Sequence, residues 1–320
     1  MKIYINRKPI SGPWGGGNKT LALLCKEIVQ CGYSLTHDLE PDIDLIFCFD
    51  PRPDNTGIWF QDLIDHKNKY NCKIVQRVGD VGSHSKPDLT KMLYEISKLK
   101  IVDHFIFTSD WARKYIQHDS SNLDFSIIQN EPLGQFHKFK NKKKLDLSKI
   151  KIVTHHWSTN PKKGFDVYSS IGELIDKKLL PNFEFTYIGR WPKDISHKGI
   201  TIIEPVDSVK LSKLLPKFDI YLTASLEEAG ANHVLEATAC GLPIVYRKGG
   251  GSIDEYCRGL GIRYEYNVVQ VLQQIIVDFK KYNQPIIDVL AGLGVKAHFS
   301  GRNDILIDDQ KFSGNAEHIY

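Results

Sequence analysis

Short apolar runs separated by helix-length segments recur through most of the chain, and this rhythm constrains the fold more than any other feature. Strand-like runs at 3–5, 43–49, 73–78, 104–108 and 125–129 alternate with helix-like segments at 20–29, 58–69, 89–99 and 111–117. Ser109 is placed to cap the last of these helices. The runs are too uniformly apolar for strands with one wet face, so the pattern predicts a parallel sheet covered on both sides. The rhythm breaks at Lys138, Lys140, Lys142, Lys143 and Lys144, which read as a solvated linker or, alternatively, as a phosphate-binding patch. It restarts with strands at 151–154, 185–188, 220–223 and 244–246 and helices at 165–175, 209–215 and 231–239. The expected fold is α/β: two Rossmann-like domains, residues 1–140 and 141–283. Ligands of open parallel sheets bind at the carboxyl ends of the strands, so a cleft between the domains is the expected site.

Composition narrows the function classes. Lys plus Arg number 42 against 38 Asp plus Glu, and a net charge of +4 does not mark a nucleic-acid binder. The cysteines at 25, 31, 48, 72, 240 and 257 form no Cys-x-x-Cys pair. They read as reduced thiols of a cytoplasmic protein, not as a disulfide frame or zinc site. The opening residues have no apolar core and no stretch approaches 18 apolar residues. Neither a secretion signal nor a membrane span is expected, and peripheral membrane contact is left open.

Four segments can carry chemistry. Between the first strand and first helix, Gly15, Gly16 and Gly17 allow the backbone to approach an anion, or simply make a turn. The segment is neither a P-loop, since Asn18 separates Gly17 from Lys19, nor a dinucleotide fingerprint, since Thr20 stands where the third glycine belongs. Asp80 and His84 follow the third strand, where they can do acid–base or hydroxyl-positioning work; the alternative is that Asp80 caps a turn and His84 is merely exposed. Lys163, ahead of Gly164, can neutralise a diphosphate or belong to a solvated loop. Lastly, Glu228 and Glu236 lie eight residues apart across a loop and the following helix, followed by the Gly241-Leu-Pro243 turn, Gly249, Gly250 and Glu255. Two carboxylates so placed can accept hydrogen bonds from sugar hydroxyls; acidic residues favoured by a helix N-terminus are the other reading.

This last block resembles the retaining GT-B glycosyltransferases of family 4, over roughly residues 2–283. The resemblance implies a metal-independent transferase moving a sugar from a nucleotide-diphosphate donor to an acceptor hydroxyl, with no cofactor beyond that donor. The acceptor (glycan, lipid or protein) is left open. It implies that Glu228 approaches the donor sugar, that Glu236 holds the ribose and that Lys163 meets the diphosphate. Gly15, Gly16 and Gly17, with Gly249 and Gly250, would line the donor, and Asp80 and His84 would serve the acceptor. Where the family often has an arginine, this chain has His155-His156-Trp157; Arg190 is the expected substitute. The family's Gly-Phe-Gly is replaced by Ala229-Gly230-Ala231. No Asp-x-Asp metal motif accompanies these residues, and Asp42-x-Asp44 reads as a turn.

The tail, residues 284–320, is of another kind. Arg302-Asn303-Asp304 and Lys311-x-Ser313-Gly314-x-Ala316 resemble an internal segment of lipoate–protein ligases, in which the lysine contacts the lipoyl-adenylate. The piece is expected to be a helix at 286–293 with a short hairpin, too small for a core of its own. A fusion or a spliced reading frame, without ligase activity, is the expectation. Two other functions stand beside the transferase: a catalytically silent nucleotide-sugar-binding module, and an adenylate-forming enzyme of the lipoate-ligase kind.

Overall fold

The computed structural model describes residues 1–11, 15–53, 57–116, 123–137 and 146–278, with strands at 297–300, 304–307 and 310–314. These residues pack as two compact units. The first holds the described residues of Met1–Pro132, Glu227–Leu235 and Gly249–Glu255. The second holds those of Leu133–Leu226, Glu236–Lys248 and Tyr256–Tyr320.

The first unit is built on β1 (Lys2–Ile5), α1 (Gly16–Gln30), β2 (Ser34–Thr36), β3 (Leu45–Cys48), α2 (Phe60–Tyr70), β4 (Lys73–Val78), α3 (Pro87–Lys98), β5 (His104–Phe107), α4 (Asp110–Ile116) and β6 (Phe125–Ile127). Its six strands run in the order β2-β1-β3-β4-β5-β6, every pair parallel. The period of two decides which side chain serves which face. Ile3, Ile5, Leu45 and Phe47 pack with Leu21 of α1, whereas Tyr4, Ile46 and Cys48 pack with Phe60, Leu63 and Leu93 from α2 and α3. Both faces are thus covered, as continuous apolar runs require. Ser109 does cap α4: its Oγ accepts the Ala112 N–H at 3.0 Å.

The chain continues through β7 (Ile150–His156), α5 (Phe165–Asp176), β8 (Phe183–Gly189), β9 (Ile200–Ile203), α6 (Ser208–Leu214), β10 (Ile220–Thr223), α7 (Asn232–Ala239), β11 (Ile244–Arg247), α8 (Ser252–Tyr256) and β12 (Gly261–Tyr264), followed by helical residues 268–278. The second unit's sheet has the order β12-β11-β10-β7-β8-β9, again all parallel. Ile152, Phe185 and Leu222 from its strands bury against Phe165, Tyr168 and Ile171 of α5 and Leu272. Asp207 caps α6 by accepting the Lys210 N–H at 2.8 Å.

Both domains are therefore Rossmann-like. In the tail, the expected hairpin is instead a three-stranded antiparallel sheet, β13 (Ala297–Ser300), β14 (Asp304–Ile307) and β15 (Gln310–Gly314). The third strand takes up the Lys311–Gly314 stretch, whose apolar content is too low to mark a strand. The helix expected at 286–293 and the lysine run at 138–144 lie outside the described residues.

One glycine in the second unit is required by its surroundings. Gly164, between the turn after β7 and α5, has φ +85°, and a Cβ there would lie 2.4 Å from Ala224 Cβ and 2.6 Å from Ala224 O. Gly164→Ala should therefore destabilise the protein by about 1–3 kcal/mol. Urea denaturation reads this as a lower midpoint at unchanged slope; an unchanged midpoint would mean the turn accommodates the methyl group.

Candidate functional site

At the carboxyl ends of the second sheet, register brings together residues far apart in sequence. His156 of β7 pairs with Gly189 of β8, so the next residues, Trp157 and Arg190, leave the sheet side by side. The Arg190 guanidinium sits over the Trp157 ring, 4.1 Å from its centroid. That stacking holds a cation at a strand end while leaving its in-plane N–H donors available for an anion. Asn160 Oδ1 accepts the Lys162 N–H at 3.0 Å and opens a single turn of tight helix, Pro161–Lys163, that carries Lys163. The Leu226 N–H donates to Lys162 O at 2.8 Å, tying this turn to the chain that leaves β10.

Beneath it lies a buried polar network. Glu236, on α7, is 4% exposed, and its Oε2 is 2.9 Å from His155 Nε2. His155 Nδ1 is 3.1 Å from the Tyr221 hydroxyl, which also accepts the His155 N–H at 3.2 Å. Burial pushes the Tyr221 phenol well above its ordinary range, so it stays neutral. Tyr168 continues the network: its hydroxyl accepts the Ala224 N–H at 2.9 Å and is 3.0 Å from His156 Nε2. Glu236 is thus not an acidic residue favoured by a helix dipole and left in water. It is a fixed carboxylate whose orientation is set by His155.

In the first unit, Gly15 is the N-cap of α1 and accepts the Asn18 N–H at 3.1 Å. Gly17 borders a cavity of about 160 Å³, whose walls also include Asp50, Arg77, Gly79 and Asp80. Burial alone would raise the Asp50 carboxyl, but the Arg52 hydrogen bonds and the nearby Arg7 hold it below the usual carboxylate range. Asp80 does cap a turn: Oδ1 accepts the Gly82 N–H at 2.9 Å, and Oδ2 accepts from Lys86 at 2.5 Å. His84 lies four residues on, half-buried in the turn before α3.

The segment bearing Glu228 is secured through its own backbone. Glu227 and Glu228 donate their N–H groups to Gly249 O and Gly250 O at 3.1 and 3.0 Å, and Ser252 N–H returns to Glu228 O at 2.8 Å. Thr108 and Ser109 hydroxyls both donate to Ala229 O at 2.8 Å, and Ser83 Oγ donates to Glu227 O at 2.8 Å. Gly249 and Gly250 therefore act in this structure through their carbonyls, which hold the Glu228 segment. Glu255 caps α4, accepting Asp110 and Trp111 N–H groups at 3.0 and 2.5 Å.

The structure thus groups Lys163, Arg190 and Glu236 in the second unit, and Gly15–Gly17, Asp80, His84, Glu228, Gly249 and Gly250 in the first. Sequence reasoning missed His155. His155 had a visible signal, its place where the resembled family often has arginine.

Comparison with known proteins adds two independent likenesses. Residues 151–275 match the family of glycosyl transferases group 1. Residues 238–320 match the lipoyl protein ligase A/B catalytic domain. Among solved structures, a sucrose-phosphate synthase from Thermosynechococcus elongatus is similar with a TM-score of 0.63 at 12% identity, over 88% of this chain and 90% of that one. Anabaena HepE in complex with UDP-glucose gives 0.61 at 12% identity, over the same shares. The fold is thus that of the GT-B glycosyltransferase structures. Lipoate-protein ligase LplJ of Bacillus subtilis is 55% identical over 40 residues, which are 12% of this chain and 12% of the ligase. The chain therefore spans about an eighth of the length of the ligases it matches. The two family matches overlap at 238–275, and there β11 and β12 are hydrogen-bonded into the parallel sheet with β10.

If His155 orients Glu236, His155→Phe leaves a buried carboxylate short of a hydrogen bond. We expect a loss of about 1–3 kcal/mol in chemical denaturation. A variant as stable as the parent would show that the pair holds nothing.

Proposed function

We propose that the protein is a retaining, metal-independent glycosyltransferase that uses a nucleotide-diphosphate sugar and passes the sugar to an acceptor hydroxyl. The observation that carries this reading is the grouping at the carboxyl ends of β7 and β8: Arg190 on Trp157, and Lys163 on the next turn. A cation at a strand end, a second on the turn that follows, and a carboxylate fixed by His155 in the same unit suit a diphosphate and a ribose. The leaving diphosphate gains charge as the sugar–phosphate bond breaks, and Lys163 and Arg190 stabilise that charge without needing to move. Glu236 accepts from the ribose hydroxyls and Glu228 from the donor sugar. Asp80 and His84 serve the acceptor side, with Asp80 shaping the turn that carries His84. The match of residues 151–275 to glycosyl transferases group 1 supports the reading, and so does the UDP-glucose bound by a structure of the same fold.

A second reading rests on the tail. Its likeness to lipoate-protein ligases supports an adenylate-forming enzyme, which would bind ATP and lipoate and lose both with Lys311→Ala. The transferase is preferred because β11 and β12, which lie within the stretch matched to the ligase domain, are strands of the second parallel sheet.

The test is release of nucleoside diphosphate from a panel of nucleotide sugars. Glu228→Ala should abolish it with an unchanged circular dichroism spectrum. Arg190→Ala should lower kcat/KM by about 10²–10³-fold, the usual effect of removing one preorganised donor. Full turnover in Glu228→Ala would count against the assignment.

A further inference from the structure

Tyr221, on β10, is fully buried, and its ring meets the His155 imidazole edge-on, with centroids 5.5 Å apart. Its hydroxyl oxygen has two lone pairs to fill and one proton to give. The His155 backbone N–H donates to it at 3.2 Å. The Thr154 hydroxyl bonds the same oxygen in the sense that favours a phenolate, as a donor. Both lone pairs are then engaged, and the O–H has to find an acceptor. His155 Nδ1, at 3.1 Å, is closer than His155 O, at 3.4 Å.

That direction is passed through the ring. An imidazole nitrogen that accepts carries no proton, so the ring's proton sits on Nε2. Nε2 lies 2.9 Å from Glu236 Oε2 and donates to it. An imidazolium does not fit the same geometry, because its Nδ1–H would point at an oxygen with no lone pair to spare. Glu236 therefore meets the ring as an acceptor, which is what a carboxylate does and a protonated carboxyl need not do. Tyr221, Thr154, His155 and Glu236 all belong to the second unit.

We infer that Tyr221 is a positioning residue for Glu236: it holds His155 in the tautomer with its proton on Nε2, so that Glu236 stays a carboxylate and offers the ribose hydroxyls an acceptor. The role toward the ribose rests on the nucleotide-sugar reading; the tautomer does not. A merely structural tyrosine would fill the same space and leave the proton's place to Glu236.

Glu236→Gln separates the two, because an amide can either accept or donate and so makes no demand on the ring. Proton–nitrogen correlation NMR of the full chain, isotope-labelled in histidine, reads the tautomer; the His155 signals are those lost in His155→Gln. The parent should show Nε2 protonated and Nδ1 bare, and Glu236→Gln should keep that form because Tyr221 alone now sets it. Adding Tyr221→Phe to Glu236→Gln should let both tautomers appear. An imidazolium or an Nδ1–H ring in the parent, or mixed tautomers in Glu236→Gln, would overturn the inference. Titration calorimetry with UDP, GDP, CDP and ADP, and with their dideoxyribose counterparts, tests the reading beneath it. In Glu236→Gln the amide oxygen must still accept from Nε2–H, which turns its NH₂ group outward. Binding of the ribonucleotide the parent prefers should fall by about tenfold or more at a Tm close to the parent's. Binding of the dideoxyribose form, which has no hydroxyl to give, should change little. An undiminished preference for ribose would overturn the role of Glu236 toward it. No binding of any nucleotide by the parent would overturn the donor-site reading and leave the tautomer result standing.

Discussion

A parallel strand delivers its carboxyl end to the same edge of the sheet as its neighbours. Every feature of chemical interest here follows from that constraint. In the second unit it sets Trp157 beside Arg190 and places Lys163 on the turn that follows. In the first it brings the glycine loop after β1 and the Arg77–Asp80 segment after β4 to one small cavity. The strands are buried and uniform, so the loops that leave them are free to vary in chemistry.

The loops keep their shape because their backbone groups are satisfied. The Glu228 segment makes a short parallel bridge to Gly251, and three hydroxyls from Ser83, Thr108 and Ser109 take up its carbonyls. Gly251 has φ +71°, and a Cβ there would lie 2.5 Å from Glu228 O, so the bridge depends on glycine. The Gly249–Gly251 run is therefore a structural support of Glu228 in this structure. The backbone N–H of Gly249 is itself engaged by Asp254 at 3.0 Å.

The buried strands are legible in the sequence, and three of the four edges of the two parallel sheets are not, β6 being the exception. β4 and β10 are legible to the residue, β10 being buried at every position and β4 at four of six. β2, β9 and β12 escaped; each is an edge strand of three or four residues with half or more of its side chains reaching solvent, so no periodic signal survives. The same logic applies to the site. Glu228, Glu236 and the glycines carry a motif and could be named in advance. A chain from Arg77 through Asn130 to Asn232 joins three segments by hydrogen bonds between side chains, and no local pattern announces such a chain. His155 illustrates the middle case. It was noticed as the loss of an arginine, and the structure shows what it does instead, which is to hold Glu236.

Two likenesses meet in one chain, and they make different demands of it. The glycosyl transferase match falls on a parallel sheet, whereas the lipoyl protein ligase match, residues 238–320, includes the small antiparallel sheet of the tail. Ligand-induced stabilisation separates them most directly, because a ligand at a hundred times its Kd adds about 2.7 kcal/mol to the folded state. Thermal unfolding of the full chain is to be followed with UDP, GDP, CDP and ADP, and with ATP plus lipoate. The account predicts a raised Tm with one nucleoside diphosphate. A raised Tm with ATP plus lipoate alone would contradict it and make the tail the functional part.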